Sequence, residues 1–246
     1  MKTYLCNFKN SKIYLFSQYL FIALILSACR YPQNIERPMS DIENGTLYIG
    51  ITENAPWVIQ HSQRPEGVEI HLLEAFAETL SAKIEWHWGS ENELLQALNH
   101  HQLDIVAGGL TTNARIEQLA AITRPFYTTH YAIGVKDNGQ PPRLAPDSIR
   151  EKEVAVPRLN TVMHSLRELG AHPIIQPHPA NAQGMAAGPT WWLLAHDFTP
   201  TAYSLAKAHH VMALPKGENA LMLALQRYLN GNHHLDAELQ RWEAAQ

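Results

Sequence analysis

Apolar and polar positions along this chain follow several distinct periods, and the changes of period mark the elements. Leu47-Tyr48-Ile49-Gly50-Ile51 is a short apolar run stopped by Asn54-Ala55-Pro56, which predicts a buried strand. From Val68 to Leu80 the apolar residues fall at 68, 72, 73, 76, 77 and 80, the spacing of one helix face. Lys83 to Trp88 alternates as a strand does. Glu91 to Asn99 returns to helical spacing, with Leu94, Leu95 and Leu98 on one side. Leu103 to Ala107 is a further buried strand, ended by Gly108-Gly109. This β-α-β-α-β order predicts an α/β fold with a parallel-rich sheet and helices on both faces.

A second set follows a Pro-rich stretch at Gln140 to Pro146. The pattern predicts a strand at Glu153 to Val156, a helix at Thr161 to Leu169 ended by Gly170, and a strand at Pro173 to Gln176. It then predicts a short helix at Asn181 to Ala187, a strand at Trp191 to Ala195, and a helix at Pro200 to Ala208. A strand at Val211 to Leu214 and two amphipathic helices, Glu218 to Leu229 and Leu235 to Ala244, complete the chain. The segments ELLQALNHHQLDIVAGG and NAQGMAAGPTWWLLAHD share an order of helix, turn and strand. Two lobes built alike would explain that echo, and so would the ordinary likeness of β-α-β units.

The N-terminus carries Lys2, Lys9 and Lys12 and no acid, ahead of an apolar stretch from Ile13 to Ala28. Its fully apolar heart, Leu20 to Leu26, is too short to cross a bilayer of about 30 Å, so the segment is expected to be a signal peptide. Leu26-Ser27-Ala28-Cys29 resembles the bacterial lipobox, in which the Cys receives lipid and becomes the new N-terminus. Arg30 to Asn44, polar and without periodicity, is expected to be a tether. Cys6 and Cys29 are the two cysteines, so no disulfide is expected in the mature fold. The formal charge of −4 becomes more negative once three leader lysines are removed, and no basic patch stands out. Nucleic acid is therefore not an expected partner.

The residues also resemble a known family, the family 3 extracellular solute-binding proteins of ABC transporters. The likeness runs from Thr46 to Trp242, through LYIGITENAPWV, EGVEIHLLEAFAETL, ALNHHQLDIVAGGLT, RPFYTTHYAIGV, HDFTPTAYSLAKA and VMALPKGENALMLALQRYL. The resemblance implies a two-lobed, type II periplasmic-binding-protein-like fold, with 45–133 plus 205–246 as one lobe and 134–204 as the other. It implies a small solute, amino acid-like, as ligand, an ABC permease as partner, and an extracytoplasmic place held by the lipid. Carried over residue by residue, Trp57 would pack on the ligand and Arg115 would pair with its carboxylate. Thr111 and Thr112 would supply donors, Asp197 would pair with the ammonium, and Asn160 or Thr161 would cap a helix and touch the ligand. The segment from Gly109 to Arg115 is one residue shorter than the family's pattern, and PRLNTV stands where the second lobe usually has a Gly-Thr or Gly-Ser turn.

Plainer roles exist for each of these. Arg115 could pair on the surface with Glu117, Asp197 could cap a helix, and Trp57 could be core. Asp104, in a buried strand, is expected to make structural hydrogen bonds. Fourteen histidines include the pairs 100–101, 209–210 and 233–234, but adjacent residues face apart and make poor chelates. Solvated surface histidines are expected, with no metal and no cofactor. No GxSxG, Walker loop or free catalytic Cys is present, which favours a binding module over an enzyme. Some membrane-bound lytic transglycosylases carry a related binding domain ahead of a catalytic one. The chain ends at Gln246, directly after the binding domain, so the other reading is a stand-alone sensory or regulatory copy.

Overall fold

A computed structural model describes residues 37–61, 64–136, 149–157, 162–231 and 234–245. The leader, Cys29, the Pro-rich stretch at 140–146, Asn160 and Thr161 lie outside the described residues. Among the described residues no helix is long and apolar enough to cross a membrane.

The first half follows the predicted order: α1 (Met39–Ile42), β1 (Thr46–Ile51), a small hairpin of β2 (Ile59–Gln60) and β3 (Pro65–Glu66), then α2 (Val68–Thr79) and β4 (Lys83–Trp88). Next come α3 (Glu91–Asn99), β5 (Ile105–Ala107), α4 (Ala114–Leu119) and β6 (Ala121–Ile122). Ser90 caps α3 in a reciprocal box with Glu93, and Leu94, Leu95 and Leu98 are its buried face. The second half holds β7 (Tyr127–Lys136), β8 (Glu153–Val156), α5 (Met163–Glu168), β9 (His172–Ile175), β10 (Met185–Pro189), α6 (Thr190–Ala195), β11 (Phe198–His210), β12 (Ala213–Leu214), α7 (Asn219–Asn230) and α8 (Leu235–Ala244).

Two five-stranded sheets share one plan. Sheet one runs β4-β1-β5-β12-β6, with β1, β4 and β5 parallel and β12 antiparallel. Sheet two runs β9-β8-β10-β7-β11, with β8, β9 and β10 parallel and β7 antiparallel to β10. In each, the first strand lies between the second and third, and an antiparallel strand follows. The long ladder of β7 and β11 joins the lobes, running from Tyr127 opposite His210 to Lys136 opposite Phe198. Both strands thus stay in sheet two beyond the 133/134 and 204/205 limits expected from sequence.

Three expected elements are corrected. Asn181 to Ala187, expected as a helix, gives a 3-10 turn at Pro179–Asn181 and then strand β10. Trp191 to Ala195, expected as a strand, lies in helix α6, and Pro200 to Ala208, expected as a helix, lies in strand β11. The alanines of Met185-Ala186-Ala187-Gly188 favour a helix locally, but tertiary packing overrides them. A Cβ at Gly134 would come 2.7 Å from Leu193 Cδ2, and one at Gly188 would come 3.0 Å from Trp192 Cε3. The small residues let α6 lie close on the sheet. Pro200 is tolerated because β11 is the edge strand and needs no donor on its open side.

Residues 37–44, expected to be part of the tether, are packed on lobe one. Arg37 pairs with Asp104 and donates to Thr46 O, and Ile42 is buried. Asp104 Oδ2 accepts from Tyr48 N at 2.8 Å, a structural bond of the expected kind. The C-terminal helix α8 packs on both α2 of lobe one and α6 of lobe two. Trp191 shares one buried cluster with Leu235 and Leu239 of α8 and with the lobe-one core.

Candidate functional site

Parallel α/β sheets bind ligands at the carboxyl ends of their strands, where loops present backbone groups and helix N-termini. In lobe one that edge carries the loops after β1, β4 and β5. In lobe two the corresponding edge points towards lobe one: β7 enters at Tyr127 and runs antiparallel to β10, with Tyr131 opposite Pro189. The two edges therefore face across the ladder that joins the lobes.

The loop after β5 is held by a buried carboxylate. Glu69, in the first turn of α2, accepts from Gly108 N at 2.6 Å and Gly109 N at 2.9 Å through Oε2. Its Oε1 is buried and has no hydrogen-bond partner among the described residues. Burial pushes its pKa up to about 7, with the two amide bonds pulling the other way. Gly109 has φ +68°, and a Cβ there would meet Asn54 Nδ2 at 2.4 Å and Trp57 Cδ1 at 2.6 Å. Only glycine fits this approach.

Trp57 is 4% exposed and belongs to the buried core cluster of lobe one, the plainer of the roles expected for it. Its ring stacks on His210 at 4.0 Å between centroids and meets Phe126 edge-on at 6.4 Å. His210 bonds Thr129 Oγ1 through Nε2 at 2.8 Å, so it links the two joining strands to the lobe-one loops. Burial pushes its pKa down to about 4. The expectation of surface histidines fails here: His210 is buried, because the strand carrying it turns into the core of lobe one.

Thr111 forms a bridge with His210, and Thr112 N donates to His209 O at 3.0 Å. Both are half-buried at the cleft edge, and the Thr112 amide is already engaged. Arg115 is exposed in the first turn of α4, whose cap is Asn113 Oδ1 accepting from Ile116 N at 3.0 Å. The Arg115 guanidinium donates to Asn92 Oδ1 at the start of α3, a neutral partner on the same sheet edge. Trp57, Thr111, Thr112 and Arg115 thus gather at one edge. Asp197 does not join them. It is exposed, with φ +57°, in the turn before Phe198 at the far end of the ladder. Nine residues at roughly 3.3 Å each place that end about 30 Å from the His210 end. Sequence reasoning missed Glu69 and His210 as site residues, although an acid among the buried residues opening α2 was a usable signal.

The model of the bacterial extracellular solute-binding proteins, family 3, matches residues 47–242. An ancestral cationic amino acid solute-binding protein has the same fold, at 16% identity, over 82% of this chain and 96% of that one, with a TM-score of 0.67. The L-cystine solute receptor of Neisseria gonorrhoeae, solved unliganded and open, matches at 15% identity over 78% of this chain and 89% of that one, with a TM-score of 0.64. Among curated relatives, membrane-bound lytic murein transglycosylase F of Haemophilus influenzae (strain PittGG) is 24% identical over 100 residues, 40% of this chain and 21% of that protein. That match spans about a fifth of the relative's length. The fold is a two-lobed, type II periplasmic-binding-protein fold, and the chain belongs to the bacterial extracellular solute-binding proteins, family 3.

Proposed function

We propose that this protein captures a small polar solute, amino acid-like, between the facing strand edges and passes it to an ABC permease. In this reading it works outside the cytoplasmic membrane, held there by lipid on Cys29. The observation that carries it is the lobe-one edge, where Gly108 and Gly109 are fixed by Glu69 beside Trp57 and an Arg115 whose bonded partner is neutral. Among the described residues this guanidinium is bonded to an amide oxygen and no carboxylate, which leaves its charge available to a ligand carboxylate. Trp57 serves as the floor under the ligand and Thr111 and Thr112 line its edge, while Thr161, outside the described residues, is a contact that the family likeness alone suggests. Asp197, at the far end of the ladder, is left outside the site.

A second reading, a sensory or regulatory binding domain for murein fragments, draws on the likeness to the transglycosylase. Calorimetry of the processed protein against amino acids, polyamines, sugars and murein peptides separates the two. One amino acid class should bind, and Arg115→Ala should weaken it about thirtyfold or more, since stranding one partner of a buried charge pair costs about 2–5 kcal/mol and each tenfold is about 1.4 kcal/mol. Asp197→Asn should leave affinity unchanged. Binding of murein peptides alone would move the assignment to the second reading.

A further inference from the structure

The lobe-two half of the proposed cleft holds a cavity of about 320 Å³. Pro157, Pro177 and Pro189 wall it, and they stand at the carboxyl ends of the parallel strands β8, β9 and β10. This is the edge that faces lobe one. The cavity is therefore part of the solute site, and its lining bears on what the solute carries beyond its carboxylate. At about 30 Å³ each it holds on the order of ten non-hydrogen atoms, enough for an amino acid side chain.

Glu243 stands at one end of the cavity. It comes from α8, the helix that packs on α2 of lobe one and on α6 of lobe two. Its side chain is 15% exposed, and its Oε1 lies 3.1 Å from His196 Nε2 at the end of α6. Where that imidazole is neutral, its N–H satisfies Oε1 without compensating the charge. Oε2 has no hydrogen-bond or ion-pair partner among the described residues. Trp192 and His178 also line the cavity, and among the described lining residues there is no Lys or Arg. Lys136 is not part of this lining. Its Nζ donates to His196 O at 2.8 Å and Ala180 O at 3.5 Å and lies 4.7 Å over the Phe198 ring.

The lining discriminates among three kinds of solute side chain. An acidic one would face Glu243 with no cation beside it, and like charges at close range repel. An apolar one would shut the carboxylate away from water with its charge unpaired, which is strongly unfavourable. A cationic one gains a charge-assisted bond to Oε2 and can rest beside the Trp192 indole, with its methylenes on the proline rings.

We propose that the solute is an amino acid with a cationic side chain on an apolar stem, of the lysine or arginine kind, and that Glu243 selects it. The inference rests on the reading in which Arg115 takes the solute carboxylate across the cleft. Specificity then comes from α8, a helix that touches both lobes.

The test is calorimetry of the processed protein with L-lysine and L-arginine against L-norleucine, L-glutamine and L-glutamate. Norleucine keeps the stem of lysine without its ammonium. Lysine or arginine should bind at least about tenfold more tightly than norleucine or glutamine, and glutamate should bind most weakly. Glu243→Gln, close in shape but uncharged, should weaken the cationic ligand about thirtyfold and bring its preference over norleucine down to about twofold. A purely structural loss at α8 would lower both affinities together and leave that ratio intact. If Glu243→Gln does not fold, the comparison of lysine with norleucine on the wild type decides. Norleucine, glutamine or glutamate binding as tightly as lysine and arginine would overturn the cationic class and leave solute capture standing, as would a ratio unchanged in Glu243→Gln. Binding of none of the five would overturn both.

Discussion

Glu69→Gln should make folding stability rise with pH between about 4 and 6.5, over a range where the wild type stays nearly level. The native state raises Glu69 to about 7 from 4.5, so it keeps a proton that the unfolded chain has released. That contribution is fully present below pH 4.5 and is lost as pH climbs towards 7. His210 does the reverse. Its pKa falls from 6.5 to about 4, so its contribution is present above 6.5 and is lost as pH falls towards 4. At about 1.4 kcal/mol per unit, each is worth about 3 kcal/mol over its window, with opposite sign. The two cancel where the windows overlap. Removing the Glu69 titration exposes the His210 slope, and His210→Gln should expose the opposite slope. Urea unfolding of the three proteins at pH 4, 5, 6 and 7 measures this. A Glu69→Gln profile as level as the wild type would refute the buried, coupled placement of these groups.

Trp57→Ala should cost about 3–5 kcal/mol of stability, the range for removing a buried aromatic side chain. The loss goes beyond the cavity itself, because the indole supports both the His210 ring and the Gly109 turn. Trp57→Phe, which keeps a ring against His210, should cost less. Denaturant midpoints at pH 7 check both variants. A loss below about 1 kcal/mol in Trp57→Ala would mean that the indole is not part of the packed floor.

Lobe one was legible because its signals are local and agree. The helix faces at 68–80 and 91–99 and the strand stops at Asn54 and Gly108 each point to the element that forms. Lobe two was legible as far as β9. Beyond it, an alanine-rich run and a continuous Trp-Trp-Leu-Leu run are ambiguous in period, and distant ladder partners on β7 decided the outcome. The ligand role of Asp197 was carried over from the family likeness; with Pro200 to Ala208 lying in β11, Asp197 stands in the turn before that strand, at the far end of the ladder. The acid opening α2 was visible in the sequence, but the partners of Glu69 and His210, Gly108 and Thr129, lie 39 and 81 residues away, and no local pattern names them. The strand ends that precede Trp57, Thr111, Thr112 and Arg115 were legible in the sequence, whereas the ligand roles of these residues came from the family likeness alone.

In the proposed function, a solute bound between the lobes draws them together. It is tested most directly by the distance between spin labels on Glu85→Cys in lobe one and Glu168→Cys in lobe two, with Cys6 and Cys29 replaced by Ala. Both label sites are exposed. A ligand that binds both edges favours the closed arrangement by its difference in affinity for the two states. Saturation with the solute found by calorimetry should shorten and narrow the distance distribution, and Arg115→Ala should shift the midpoint of that change to higher concentration. A distribution unchanged by saturating solute would contradict capture between the lobes.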